Sequence, residues 1–322
     1  MSSALPLIEV AIRQRTQPCA LVCALELVAA DGGVLPPFTA GAHIDLHLPN
    51  GLLRSYSLLG DPADTGAYHV AIRRDETGRG GSRYIHEQLQ AGQRLHISAP
   101  RNAFALDESA SHSLLLAGGI GITPLLSMAH RLTALGKPWQ MVYCGRQREH
   151  LAFVEHVQAL ADAAGAPLVL HIDQDGGGPI NLPQLLASQP AGTHAYCCGP
   201  APMLEAYRQA GQALAGLQLH WEYFAPAAVA HQPNDAFDVV LKRSGQHLHV
   251  PAQSTLLDVL LDTGIEVDYG CMEGVCGACR TGVLAGTPDH RDFVLSEAEK
   301  KAGDCIMLCC SRSRSPVLEL DL

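Results

Sequence analysis

Three thiols crowd one short stretch of the chain. Cys271, Cys276 and Cys279 lie in CMEGVCGACR with the spacing C-x4-C-x2-C, and Gly270, Gly274 and Gly277 lie among them. Thiolates at such spacing are soft metal ligands. A 2Fe–2S cluster takes four of them. Three can come from one tight loop if small residues let backbone amides turn toward the sulfurs, and Gly274, Gly277 and Ala278 are such residues. The fourth must come from a distant segment, and Cys305, Cys309 and Cys310 are the candidates. Structural zinc sites read instead as paired C-x2-C knuckles. This loop has one such pair with an extra cysteine before it, so the spacing favours a cluster over zinc.

Other segments pair glycines with groups that can hold a charged cofactor. LRSYSL, residues 53–58, sets an arginine, a tyrosine and serines along one strand. A guanidinium, a phenol ring and hydroxyls so placed can line one edge of a flavin. GRGGSRY, residues 78–84, opens a predicted helix with glycines. Backbone N–H groups can close on an anion there, and a helix N-terminus favours negative charge. Arg73 or Arg79 can add a charge-assisted contact. The terminal, doubly charged phosphate of FMN suits such a site. LLLAGGIGITPLLSM, residues 114–128, reads as strand, glycine turn and helix, with Pro124 in the first helical turn. It is not the G-x-G-x-x-G fingerprint. Even so, glycines before a helix let a pyrophosphate approach the backbone. YCCGPAPML, residues 196–204, repeats that geometry.

These groups need elements to position them. LIEVAIRQRT, ALVCALELVA, HIDLHLP, LRSYSLL, AYHVAIRR and QRLHISAP are short, alternating and separated by turn residues. They predict an antiparallel barrel. One helix interrupts them, SRYIHEQLQAG, with Ser82 as the expected N-cap. After Asn102, strands such as SLLLAGG, WQMVYCG, PLVLHID and THAYCCG alternate with helices. EHLAFVEHVQALADAAG is read as one of those helices. That rhythm implies βαβ units and a parallel sheet. APAAVAHQPND, residues 225–235, reads as a linker. FDVVLKRSG and QHLHVPA then predict a hairpin, STLLDVLLDTG a helix capped by Ser254, and VLELDL a closing strand.

A chain of 322 residues suggests two or three domains. A net charge of −10 argues against non-specific nucleic-acid binding. No apolar run is long enough to span a bilayer, and MSSALPLIEVAIRQRTQ lacks the features of a signal peptide. The expected compartment is the cytoplasm, where disulfides are rare. His247 and His249 lack carboxylate or cysteine neighbours in sequence, and they and the pair His43 and His47 are expected at exposed strand positions.

CMEGVCGACRTGVLAGTPDHRDFVL and IMLCCSRSRSPVLELDL resemble the ferredoxin domain of the phthalate dioxygenase reductase family, which includes vanillate O-demethylase reductases. Taken with the flavin and nucleotide segments, the resemblance covers essentially the whole chain. It implies a multidomain protein with an antiparallel β-barrel FMN domain at 1–103 and an α/β parallel-sheet NAD-binding domain at 104–226. A linker at 227–235 and a C-terminal α+β plant-type (β-grasp) ferredoxin domain at 236–322 would follow. Within the family pattern, Cys309 is the fourth ligand beside Cys271, Cys276 and Cys279. Arg54, Ser55, Tyr56 and Ser57 line the flavin, Ile72 and Arg73 lie beside it, and Gly80, Gly81 and Ser82 hold its phosphate. Gly118, Gly119 and Gly121 receive the dinucleotide. Cys198, Gly199, Pro200 and Met203 lie against the nicotinamide. Phe224 covers the flavin ring, Glu222 sits near the hydride-transfer site, and Thr123 approaches the flavin from the second domain.

The implied activity is electron transfer from NADH through FMN to a 2Fe–2S cluster, then to the Rieske-type oxygenase component of an aromatic dioxygenase or demethylase. Asp173 and Asp175 would repel the 2′-phosphate of NADPH, while Arg146 and Arg148 pull the other way. The same path could serve another monooxygenase, or the cluster could act as a redox sensor. Residues 235–322 carry 14 Asp/Glu and 8 Lys/Arg, a balance that could steer the chain toward a basic partner. A monomer is expected, without nucleic-acid or membrane partners.

Overall fold

The computed structural model describes residues 7–76, 78–225 and 234–322. Most of the expected linker at 227–235 lies outside them, as do the first six residues of the segment read for a signal peptide. The described residues divide into two compact units, 7–224 and 225–322 without 226–233.

In the first unit, β1 (Ile8–Cys19), β2 (Val22–Ala29), β3 (His43–His47), β4 (Leu53–Leu59), β5 (Tyr68–Arg73) and β6 (Arg94–Ile97) form a closed barrel, with α1 (Gly81–Gln88) between the last two. The order is β1-β2-β5-β4-β3-β6, and every pairing is antiparallel. Alternation along the strands sends Val10, Ile12, Leu25, Leu27, Ile44, Leu46, Val70 and Ile72 into one core. Helix α1 starts one residue before the expected cap. Gly80 caps it at φ 83°, a left-handed conformation that glycine adopts without a Cβ penalty. Ser82 is already helical, and its hydroxyl pairs with the backbone of Asp75. His43 is buried rather than exposed, and burial lowers its pKa to about 4. His249 is exposed but does have a carboxylate neighbour, Asp238 at 2.7 Å.

The second half of this unit is a parallel sheet. Its strands are β7 (His112–Gly118), β8 (Trp139–Gly145), β9 (Leu168–Ile172), β10 (Thr193–Cys198) and β11 (Gln218–Glu222), in the order β11-β10-β7-β8-β9. Helices α2 (Ile122–Ala134), α3 (Val154–Ala164), α4 (Asp173–Gly176), α5 (Leu182–Ala187) and α6 (Ala201–Gly211) connect them. EHLAF is not helical as expected. A 3₁₀ turn covers Arg148–His150, and Phe153 takes a left-handed φ of 60°. Burial of Leu151 and Ala152, with the Tyr143 hydroxyl donating to the Ala152 carbonyl at 3.2 Å, holds the segment in that path. Helix α5 was not anticipated. The Asn181 side chain caps it by accepting from the Gln184 N–H at 3.0 Å. Barrel and sheet share one core, in which Val22, Ala71 and Phe104 meet Leu115, Leu125 and Tyr196.

The second unit contains β12 (Phe237–Leu241), β13 (Gln246–Val250), α7 (Leu256–Asp262), β14 (Arg280–Ala285), β15 (Pro288–Asp289), α8 (Glu297–Ala302), β16 (Cys305–Met307), β17 (Arg312–Ser313) and β18 (Val317–Leu320). A five-stranded sheet runs β13-β12-β18-β14-β16, with only β12 and β18 parallel. Thr255, not Ser254, caps α7. Its hydroxyl accepts from the Asp258 N–H, and the Asp258 carboxylate accepts from the Thr255 N–H, both at 3.0 Å.

Arg312 is buried in this unit. Its guanidinium donates to the carbonyls of Ser254, Asp235 and Pro251 at 2.8, 2.9 and 3.1 Å and lies over the Phe237 ring. It ties the start of the unit to its last strands. Arg312→Met should therefore lower the unit's unfolding free energy by about 3 kcal/mol, since hydrogen bonds to a charged donor are lost and three carbonyls are left unpaired. Urea unfolding followed by hydrogen exchange at the unit's backbone amides reads this. An unchanged midpoint would contradict the role.

Candidate functional site

The sheet of the first unit has a switch point. From β7 the chain moves one way to β8 and β9, then returns to the other side for β10 and β11. Crevices of this kind, at the carboxyl ends of the strands, are where parallel α/β sheets bind ligands. Both glycine turns open here, one after β7 and the other after β10. They touch closely. A Cβ on Gly121 would lie 2.1 Å from the Cys198 carbonyl oxygen, and one on Gly118 would lie 2.6 Å from the Met203 sulfur and 2.7 Å from Pro200. Gly119 adopts a φ of 55°. Gly118, Gly119, Gly121, Cys198, Gly199, Pro200 and Met203 are thus brought together. The buried Thr123 hydroxyl donates to the Ile120 carbonyl at 3.1 Å and braces the first turn.

Beside this crevice lies a half-buried acid, Glu222, whose Oε2 is shielded from solvent. Cys198 and Glu222 are register partners on β10 and β11. Burial raises the Glu222 carboxyl to about 8, while the Ser57 hydroxyl on β4 opposes that rise. Its Oε2 has no hydrogen-bond partner. Glu222 is therefore largely a neutral acid at pH 7, placed between the sheet and the barrel and able to donate or accept one proton. The Cys198 thiol is fully buried, and burial followed by the nearby Glu222 pushes it well up, so it is no thiolate. Phe224, just after β11, is 38% exposed and is not a core aromatic.

The β4 residues divide by face. Arg54 and Tyr56 share one side, and Ser55 and Ser57 share the other. The Arg54 guanidinium donates to the carbonyls of Leu53 at 2.7 Å and Arg79 at 3.2 Å, and it lies against the start of α1. A Cβ on Gly81 would come within 2.5 Å of the Arg54 Nε, so glycine is what admits the guanidinium to the helix end. The exposed Arg83 also approaches Gly80. First-turn amides and guanidinium groups together make an anion cradle. Tyr56 is half-buried against the barrel core, and that environment raises its phenol. Ile72 points into the core, and Arg73 is exposed at the end of β5. Ser55 is occupied internally, donating to Asp45 at 2.6 Å. Asp45 is buried and also paired with Arg101. Sequence reasoning missed Asp45. Its signal was a lone acid in the alternating HIDLHL.

In the second unit the cysteine loop is wound by left-handed residues. Met272, Gly274 and Gly277 have φ of 58°, 73° and 75°. The winding aims amides at sulfur. Glu273 and Val275 N–H donate to the Cys271 Sγ at 3.3 and 3.4 Å, and Cys271 N–H donates to the Cys276 Sγ at 3.2 Å. The thiols approach one another in pairs, Cys271 with Cys276 and with Cys309, and Cys279 with Cys309. Among the described residues no three His, Cys, Asp or Glu side chains are arranged to hold a single metal ion. Cys305 lies in the apolar core near Arg280. Cys310 is half-buried over Gly274, where a Cβ would lie 2.5 Å from its sulfur.

Comparison with known proteins places this arrangement. Residues 239–314 match the 2Fe-2S iron-sulfur cluster binding domain, and residues 115–209 match the oxidoreductase NAD-binding domain. The chain is 43% identical over 324 residues to tetrachlorobenzoquinone reductase of Sphingobium chlorophenolicum, covering 100% of both. It is 44% identical over 309 residues to vanillate O-demethylase oxidoreductase of Pseudomonas sp. strain HR199, covering 94% of this chain and 95% of that one. The solved structure of phthalate dioxygenase reductase, described as modular for electron transfer from pyridine nucleotides to 2Fe-2S, is similar over 98% of each chain, at 35% identity and a TM-score of 0.73. The chain belongs to the phthalate dioxygenase reductase family. It is an NAD-binding oxidoreductase with a 2Fe–2S domain. A structure of an intact type IV self-sufficient cytochrome P450 monooxygenase is also similar, with 36% identity and a TM-score of 0.88. This reductase spans 98% of its own length but only 41% of that longer chain.

Two outcomes are expected of the reductase. Glu222 binds its proton more tightly folded than unfolded, where a glutamate titrates near 4.3. Its contribution to stability is full below that value and is lost as pH rises through about 8. Glu222→Gln carries no charge, so its melting temperature should gain on the wild type between pH 5 and 8. Parallel melting profiles would refute the raised pKa. In the loop, Gly274→Ala meets both a left-handed backbone and the Cys310 sulfur. It should cut iron and sulfide content per chain by about half or more, a loop strain of ~1–2 kcal/mol being comparable with a tenfold shift in occupancy. Full loading of the variant would sink this account of the loop.

Proposed function

We propose that this reductase is the electron-supplying component of an oxygenase system, taking electrons from NADH through FMN to a 2Fe–2S cluster. Its acceptor is the Rieske-type oxygenase of an aromatic dioxygenase or demethylase. The observation that carries the reading is the presence in one chain of an anion cradle, a glycine-lined switch point and four converging thiols. The proposed division is an FMN barrel at 1–103, a nucleotide domain at 104–226, a linker at 227–235 and a β-grasp ferredoxin domain at 236–322. The proposed compartment is the cytoplasm and the proposed state a monomer. Among the described residues no helix is long and apolar enough to cross a membrane.

The residues fit the groups they would hold. Arg54 and the α1 amides at Gly80, Gly81 and Ser82 suit a terminal phosphate, with Arg73 at the edge. Tyr56 offers a ring, Ser57 a hydroxyl and Phe224 an exposed cover. Ser55 and Ile72 would act through the backbone, because their side chains are engaged in the barrel. Cys271, Cys276, Cys279 and Cys309 supply two thiolate pairs, which is what two irons need. Bound there, the flavin would supply two-electron acceptance from NADH and one-electron release. The chain's own part is to position and to exclude water. Thr123 and Cys198 brace the turns on which the nicotinamide would lie. Glu222, neutral and half-buried beside Ser57, places no net charge where a hydride must pass. Asp173 and Asp175, just beyond β9, support NADH over NADPH.

Exposed Tyr269 precedes the cysteine loop and exposed Met272 lies in it, and Asp262, Glu266 and Asp268 are exposed close by in sequence. They support a basic docking face on the oxygenase. Reduction of that partner should slow severalfold between 50 and 300 mM salt, since charge steering is screened beyond about 10 Å at 0.1 M. A flat profile would remove steering from the account. A second reading keeps the path and changes the acceptor. The similar segment of a self-sufficient P450 favours it, because there the reductase-like part is continuous with the monooxygenase.

The deciding experiment is anaerobic addition of NADH to purified protein, followed by visible and EPR spectra. Bleaching of the flavin band with a rhombic 2Fe–2S signal is the expected result. Bleaching without that signal would refute the proposed cluster ligands.

A further inference from the structure

A cleft of about 300 Å³ opens on the first unit, away from both glycine turns, and its lining includes Glu26, Asp61, Asp64, His69, His130 and His156. Two of these face each other closely. His130 on α2 and His156 on α3 bring their Nε2 atoms to 3.0 Å, with the rings edge to face. Two Zn–N bonds of about 2.05 Å at a tetrahedral angle put their nitrogens about 3.3 Å apart. The observed pair is within a few tenths of an ångström of that span. His130 is half-buried and His156 exposed. Desolvation lowers each from the ordinary imidazole value, aided by His156 at His130 and by His69 at His156, while Asp61 opposes the shift at His130. The shift favours the neutral form that binds metals. The charged groups around them are acidic or already paired. Asp61 and Asp64 are exposed on the loop after β4, and Glu26 is bound to Arg13 and lies 3.9 Å from His69.

We propose that His130 and His156 form a binding site for a divalent transition-metal ion such as Zn2+. The ion replaces the proton shared between the two rings, and that proton leaves to solvent. Two imidazole nitrogens select borderline metals over Mg2+ or Ca2+, and the acidic cleft attracts a cation of either kind. No third side chain is yet in place among the described residues. The ion's shell is completed by water and by rotation of Asp61, whose carboxylate already acts on His130. Bound metal bridges α2 to α3. Because α2 begins at the glycine turn, the site lies one helix away from the nucleotide crevice.

The test is isothermal titration of the loaded full-length protein with Zn2+, with iron assayed before and after. One saturable site per chain is expected, with iron content unchanged. His130→Asn and His156→Asn should each weaken it at least tenfold, and Asp61→Asn should weaken it less. His247→Asn, on an exposed strand of the other unit, should not change it. NADH oxidation without added metal should be equal in wild type and variants. Absence of saturable binding would overturn the proposal. Binding that survives both histidine substitutions, or that occurs only with loss of iron, would overturn it as well.

Discussion

Gly121 and the Cys198 carbonyl meet so closely that no side chain can stand between them. The first unit is arranged around that contact. Two turns touch backbone to backbone at the carboxyl ends of β7 and β10, and Gly118 meets Met203 and Pro200 in the same way. Helix α2 can then start directly from one turn and lie against β4 of the barrel. Register carries the effect outward. Because Cys198 pairs with Glu222, the carboxyl arrives beside Ser57, and burial there keeps its proton on at neutral pH. A methyl group at one glycine would therefore disturb turn, helix and acid together.

A related constraint governs the second unit and the α1 cradle. At both, a residue that accepts a left-handed φ turns backbone amides toward a place where negative charge would be favoured. Gly80 does so before α1, and Gly274 and Gly277 do so in the cysteine loop. Met272 does so without the freedom of glycine, at a cost of about 1–2 kcal/mol. In return, its neighbours turn two N–H groups onto the Cys271 sulfur. Nests of this kind bind phosphate or stabilise thiolate with the same physics. The difference lies in what surrounds them. Guanidinium groups gather at α1, and thiols gather in the loop.

Much of this was legible in residue types. Spacing alone separated a cluster loop from a zinc knuckle, and glycine turns after apolar strands marked the nucleotide segments. Local signals failed where long-range packing intervened. EHLAF has helical composition, but burial of Leu151 and Ala152 pulls it off the helical path. Ser82 looked like a cap, yet the turn needed the left-handed freedom of Gly80. The buried Asp45 claims the Ser55 hydroxyl across β3 and β4, a pairing that residue types along one strand did not show. His43 looked exposed until the barrel closed over it.

The sequence by itself determined the kinds of chemistry available: thiols at cluster spacing, amides freed by glycine, and an arginine strand before a glycine-rich helix start. Those are properties of short segments, fixed by local geometry and donor type. Tertiary structure decided which members meet. It set Cys309 among the loop thiols, Cys305 in the core and Cys310 over Gly274, three residues that sequence distance could not rank. It also put Glu222 beside Ser57 and His130 beside His156, across 165 and 26 positions of chain. Such pairings depend on sheet order and helix packing, which arise from burying the whole apolar pattern at once.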